Sequence, residues 1–304
     1  MSIGLLFSGQ GAQKVGMGQS LYTESATARA LYDEADAVLG WKLTEYCFEG
    51  PEETLTETRV CQPALYVQGY AIAAILRERG LLGDLRTTLG LSLGELTALA
   101  VGGAFDFATG LKIVAERGRL MQEACDATNG AMASLIGGSV EAAEELCAAH
   151  DIDVGNRNCP GQIVISGASE KVAAAVEAAK ASKTFKMVVP LKVAGAYHSR
   201  LMESARVAFA EFLQTVEISS PEVTVFTNTT GETVSESDAI KAALVKQVVS
   251  TVRWDDCMNG AIGLGVTEFY ECGPGGVLAG LARRINRDAK VTSLAEYADL
   301  PSAR

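Results

Sequence analysis

Between a short candidate strand, Thr87-Thr-Leu89, and an alanine-rich stretch over 95–101 stands the pentapeptide Gly90-Leu-Ser-Leu-Gly94. No other segment constrains the fold as strongly. A glycine on each side of a serine lets the chain turn sharply from the end of a strand into the start of a helix, and the turn lifts the serine hydroxyl above the sheet. A strand feeding straight into a helix belongs to a βα unit, so the segment predicts a parallel sheet in an α/β body. The helix N-terminus that follows would aim free N–H groups at negative charge developing beside Ser92. An ordinary glycine-rich turn would satisfy the same pattern without any chemistry.

The flanking chain agrees with this reading. The apolar run 3–7 ends in Ser8-Gly-Gln-Gly-Ala-Gln13, a buried strand opening into a glycine-rich loop. Helical spacing dominates over 20–39, 63–79 and 107–125. A separate rhythm occupies 131–191: strand 131–136, helix 140–149, strands 152–156 and 162–166, helix 170–181 and strand 185–191. That order, βαββαβ, is the ferredoxin-like arrangement. The fold expected is therefore α/β, with a hydrolase-like parallel-sheet body over 1–127 and 198–304 and a small ferredoxin-like subdomain over 128–197. No repeat or long polar linker separates the parts, so they should move little against each other.

Composition narrows the function. At 48% hydrophobic and 21% charged residues, with seven prolines among 304, the chain is compact rather than disordered. The 26 Lys and Arg face 37 Asp and Glu, a net charge of −11 that argues against general nucleic-acid binding. Seven cysteines form no CxxC pair and no Cys/His spacing suited to zinc, so no metal site is expected. Their odd number, and the lack of a basic-then-apolar leader, predict reduced thiols in a cytoplasmic protein. The longest uncharged stretch, 60–76, contains Gln62, Pro63, Gln68 and Gly69 and does not read as a membrane span.

A serine nucleophile needs a base, and the chain has two histidines. His150 closes a helix, where the helix dipole favours it as a surface residue. His198, in Gly195-Ala-Tyr-His-Ser199, lies where the small subdomain returns to the body, a junction at which a pocket is expected. On the helix from residue 107, Phe107, Leu111, Val114 and Met121 form an apolar stripe, and Arg117 falls on it. A buried guanidinium should have an anionic partner: a structural Asp or Glu, or a ligand. Arg119 falls off the stripe and faces solvent. The loop Gly9-Gln10-Gly11 would lie beside Ser92 if the first two strands are neighbours, and could add an N–H to an oxyanion site. It lacks the spacing of a dinucleotide-binding loop.

Taken together, these segments resemble the malonyl-CoA:acyl-carrier-protein transacylases, which load extender units in fatty-acid and polyketide synthesis. Phe7-Ser-Gly-Gln-Gly-Ala-Gln13 is similar to the family's F-P-G-Q-G-[SA]-Q, and Gly90-Leu-Ser-Leu-Gly-Glu95 to its G-H-S-x-G-E. Glu116-Arg-Gly-Arg119, Asn158-Cys-Pro-Gly-Gln-Ile-Val-Ile165, Gly195-Ala-Tyr-His-Ser199 and Glu271-Cys-Gly-Pro-Gly275 match further motifs in the family's order. The resemblance implies Ser92 as nucleophile, His198 as base and acid, and Gln247 as an amide whose carbonyl orients the base in place of a carboxylate. It implies Arg117 as a bidentate grip on the malonyl carboxylate, which lysine could not reproduce. The N–H groups of Gln10 and Leu93 would form the oxyanion hole, with Met121, Asn158 and Tyr197 completing the substrate site. The partners implied are a CoA thioester and acyl carrier protein, with no nucleic acid and no membrane. The chain is expected to act as a monomer and to need no cofactor, because a thioester already carries an activated acyl group.

Two residues depart from the pattern: Leu91 stands where the family has histidine, and Ser8 where it has proline. The first puts a substrate contact in question and the second the stiffness of the Gln10 loop. Two other readings share these residues. A serine thioesterase or hydrolase would want an acid as third member, such as Asp106, Asp126, Asp151 or Asp153. A carrier-binding scaffold without activity would need none of the machinery. Candidate carrier contacts near the junction are Lys183, Lys186, Lys192, Arg200 and Arg206.

Overall fold

Residues Ile3–Phe7 are buried at every position, as a strand inside a helix-covered parallel sheet requires. The computed structural model describes residues 2–303. The chain opens with β1 (Ile3–Phe7), then α1 (Gln19–Glu24), α2 (Ala26–Leu39), α3 (Leu43–Phe48), α4 (Glu52–Thr56) and α5 (Thr58–Glu78). β2 (Leu85–Gly90), α6 (Leu93–Val101) and α7 (Phe107–Asp126) follow. The middle runs β3 (Gly130–Ile136), α8 (Val140–His150), β4 (Asp153–Cys159), β5 (Gln162–Ala168), α9 (Ser169–Ser182) and β6 (Met187–Pro190). The remainder is α10 (Glu203–Gln214), β7 (Thr224–Val225), α11 (Ser237–Gln247), β8 (Val252–Arg253), α12 (Trp254–Gly263), β9 (Glu268–Cys272), α13 (Val277–Ile285) and β10 (Lys290–Leu294).

The body is built on a five-stranded sheet in the order β10-β9-β1-β2-β7, with every pair parallel. β1 and β2 are neighbours, so the loops at their carboxyl ends run side by side, joined by the Leu91 N–H donating to the Phe7 carbonyl at 3.1 Å. Helical spacing over 20–39 is interrupted at Ser25, whose hydroxyl accepts from the Ala28 N–H at 3.2 Å and starts α2. α7 is capped by Asp106, which accepts from the Thr109 N–H at 2.7 Å. Its apolar stripe is buried, and so is Arg117 within it.

A second five-stranded sheet has the order β6-β3-β5-β4-β8. Its first four strands pair antiparallel and carry the βαββαβ order read from the sequence. The fifth strand is a finding. β8 comes from the C-terminal part of the chain and pairs parallel with β4, Asn156 opposite Val252 and Arg157 opposite Arg253. Two residues are too few to show a strand period, so the sequence carries no sign of this splice. Among the described residues, no helix is long and apolar enough to cross a membrane.

Candidate active site

The site grows from the turn between β2 and α6. A side chain at Gly94 would run into the Phe7 carbonyl, and one at Gly90 into the backbone of Gly94, so both positions exclude a Cβ. Ser92 between them is held at φ 55° and ψ −108°, a conformation that an unconstrained serine avoids. Asn228 secures it from the side: its Oδ1 accepts the Ser92 N–H at 2.7 Å, and its Nδ2 donates to the Gly90 carbonyl at 2.9 Å.

Ser92 Oγ lies 2.8 Å from His198 Nε2, and His198 Nδ1 lies 2.9 Å from the Gln247 main-chain carbonyl. A carbonyl only accepts, so Nδ1 carries the proton and Nε2 is free to accept from the serine hydroxyl. Burial, reinforced by the Arg117 cation, pushes the imidazole down to about 4, against the pull of the Gln247 carbonyl. His198 is therefore neutral at pH 7 and stands ready as a base.

Arg117 is 1% exposed and faces the same serine. Its Nη2 donates to Ser92 Oγ at 3.1 Å and to Gln247 Oε1 at 2.8 Å, and its Nη1 to Gln62 Oε1 at 2.7 Å. The expected anionic partner is not in contact. Among the described residues, no carboxylate lies within ion-pair distance, and the nearest acid, Glu95, is reached through the Gln247 amide, whose Nε2 donates to Glu95 Oε2 at 2.6 Å. Two amide oxygens thus solvate the guanidinium without neutralising it. Burial lowers it to about 10, which leaves it cationic at neutral pH. Its Nε–H is buried without a partner among the described residues, a donor unspent.

Gln10, Leu93, Met121, Asn158 and Tyr197 line one cleft together with Ser92, His198 and Arg117. The main-chain N–H groups of Gln10 and Leu93 have no protein acceptor among the described residues. Asn158 Oδ1 is also buried, with no partner among the described residues. Met121 packs under Gln62, whose Nε2 reaches its sulfur at 3.5 Å. Among the described residues, no group of His, Cys, Asp or Glu is arranged to hold a metal ion.

An acyl transferase domain family matches this chain over residues 5–295. The malonyl CoA-acyl carrier protein transacylase of Bacillus subtilis is 40% identical over 299 residues, covering 97% of this chain and 93% of that protein. The chain belongs to the malonyl-CoA–acyl carrier protein transacylase family. Solved structures agree with this. The acyl-carrier-protein S-malonyltransferase from Bartonella henselae superposes with a TM-score of 0.94 at 36% identity, covering 99% of this chain and 97% of that one. A malonyl-transacylase solved in complex with its type II polyketide acyl carrier protein gives 0.95 at 34% identity, over 99% and 98%.

Three features of this transacylase chain refine the sequence reading. Gln247 meets the imidazole through its main-chain carbonyl, while its side-chain amide ties Arg117 to Glu95 and donates to the Ser92 carbonyl at 3.0 Å. Asn228, Gln62 and Glu95, which sequence reasoning did not assign to the site, brace its central residues. Polar side chains inside otherwise apolar, fully buried helical runs were the available signal for Gln62 and Glu95. Asn228, just past a two-residue strand, gave none.

Glu271, in the last transacylase motif, is buried and accepts from the N–H groups of Leu278 and Ala279 at 2.8 and 3.0 Å. It thereby fixes the start of α13, whose Val277 and Leu281 form one wall of the cleft. Leu91 lines the cleft too and packs with an apolar cluster containing Leu278 and Leu281. The acids that a hydrolase triad could recruit are engaged elsewhere. Asp106 caps α7, Asp126 accepts from Gln122, and Asp151 and Asp153 pair with Arg200.

Proposed function

We propose that this chain moves a malonyl group from malonyl-CoA to the phosphopantetheine thiol of acyl carrier protein through an ester on Ser92. One observation carries the reading: a buried guanidinium with no carboxylate partner among the described residues donates to the hydroxyl that is itself 2.8 Å from a neutral imidazole. A cation next to the nucleophile favours acyl groups that end in a carboxylate.

In the first half-reaction the Ser92 proton passes to His198 Nε2 as Oγ bonds to the thioester carbon. The oxyanion is taken up by the N–H groups of Gln10 and Leu93, each worth about 3 kcal/mol in comparable sites. Collapse breaks the C–S bond, and His198 returns its proton to the CoA sulfur. In the second half-reaction the carrier thiol gives its proton to His198, its sulfur bonds to the ester carbon, the C–O bond breaks, and the proton returns to Ser92 Oγ. The neutral Gln247 carbonyl orients the base without adding a negative charge beside the malonyl carboxylate.

The carrier is usually acidic, so an acidic enzyme needs a local basic face to receive it. Arg200 and Arg206 are spent on Asp151, Asp153 and Glu203. Arg283, Arg284 and Arg287 offer a better face. Among the described residues they form no ion pair, and Arg284 donates at 2.8 Å to Gln162, which lines the cleft. All seven cysteines are buried free thiols, which supports a reducing, cytoplasmic setting. We read the chain as acting as a monomer, since it alone supplies every residue named.

Intact-protein mass spectrometry after a brief malonyl-CoA pulse tests the reading. One malonyl unit should appear on the wild type and none on Ser92→Ala. Arg117→Ala should lose malonyl loading roughly 100-fold while keeping acetyl loading within a few-fold, in line with losing a charged, bidentate contact. Equal losses for both donors would show that Arg117 only supports the fold.

A further inference from the structure

The loop after β1 carries the Gln10 N–H but is weakly held by its own backbone. Past the end of β1 its backbone forms only a single turn at Gln10–Gly11, and the Gly11 N–H turns back onto Gln13 Oε1 at 2.7 Å. Side chains hold it instead. Gln10 Nε2 donates to the Tyr197 hydroxyl at 3.2 Å and to Thr58 Oγ1 at 3.3 Å, and those two oxygens lie 2.5 Å apart. Thr58 is fully buried at the start of α5, with its N–H on Gln122 Oε1 of α7 at 2.9 Å. Tyr197 is anchored in turn by its carbonyl, which accepts from Ser166 Oγ at 2.6 Å, and it directly precedes His198.

We infer that the Tyr197 hydroxyl is a positioning group for catalysis, tying the loop that presents the Gln10 N–H to the residue next to the base. The inference rests on the transacylase reading above and deepens it. A second, independent observation points to the same loop. Ser8, where it begins, has a buried hydroxyl with no hydrogen-bond partner among the described residues. The Ser8 side chain does not restrain the loop, and a proline there would narrow the backbone's freedom. The Gln10–Tyr197–Thr58 cluster supplies the stiffness that Ser8 does not.

The experiment is single-turnover acylation by malonyl-CoA and by acetyl-CoA. Tyr197→Phe should slow both by the same factor, roughly tenfold, a fraction of what losing an oxyanion donor outright costs. KM should stay within twofold. Gln10→Ala, at a partly buried position, should give the same loss, and the double variant no more than either alone. Ser8→Pro placed on Tyr197→Phe should return most of the rate. The inference is overturned by a Tyr197→Phe rate within twofold of wild type, a loss confined to malonyl-CoA, losses that multiply in the double variant, or no rescue by Ser8→Pro. A wild type that takes up no acyl group would instead sink the transacylase reading itself.

Discussion

Burial and the neighbouring Arg117 cation both hold the His198 imidazole down, to about 4. A base this weak is a cost when it must take the serine proton beside a fixed positive charge. A malonyl carboxylate bound by Arg117 offsets that charge and removes the second cause of the depression, so the anionic acyl group strengthens the base that will act on it. The protonated imidazole cannot accept from Ser92, so loading must fall as pH drops through the His198 pKa and level off above it. We expect kcat/KM for acetyl-CoA and malonyl-CoA, which reports the free enzyme, to inflect near 4 for both donors. The acylation step within the bound complex should inflect at higher pH for malonyl than for acetyl. Stopped-flow loading from about half a unit below the His198 value to about four units above it measures both, and coincident inflections would show that the carboxylate leaves the Arg117 charge uncompensated.

At the scale of elements, the β2–α6 turn fixes where the hydroxyl stands, and it does so by close approach. Gly94→Ala would drive a methyl group into the Phe7 carbonyl, pushing β1 and α6 apart. A loss of stability of about 1–3 kcal/mol, the usual cost of overpacking, should appear as a lower urea midpoint, with acyl loading lost even where the protein stays folded. Unchanged loading would mean the turn tolerates more room than its contacts allow. The strand–turn–helix order was legible because it rests on local pattern: apolar runs of strand length, glycines at the turn, and a helical stripe around Arg117. So was the βαββαβ order of the small sheet. What stayed hidden depends on contacts between distant segments. In place of the expected anionic partner, Arg117 meets two glutamine oxygens, and Gln247 alone passes on to Glu95, because an amide can reach a guanidinium and a carboxylate at once. β7 and β8 are two residues each, too short to mark themselves by periodicity.

At the scale of the molecule, a net charge of −11 coexists with three arginines, Arg283 and Arg284 on α13 and Arg287 just beyond it, that form no ion pair among the described residues, next to a cleft wall made by the same helix. Like-charge repulsion elsewhere on the surface would leave that face as the place where an acidic carrier can land. Changing Arg283 and Arg287 to glutamate should raise KM for acyl carrier protein by roughly tenfold or more and flatten its salt dependence. Loading from malonyl-pantetheine, which lacks the CoA phosphates, should be untouched. A matching defect with malonyl-pantetheine would place the fault in the cleft rather than in docking.

The short strand at Val252–Arg253 has a mechanical meaning as well. It is stitched to Asn156 and Arg157 only a few residues after the Gln247 carbonyl that steadies the imidazole. A jaw-like parting of the two sheets would drag that carbonyl off its ring, so the mouth cannot gape without disarming its own base.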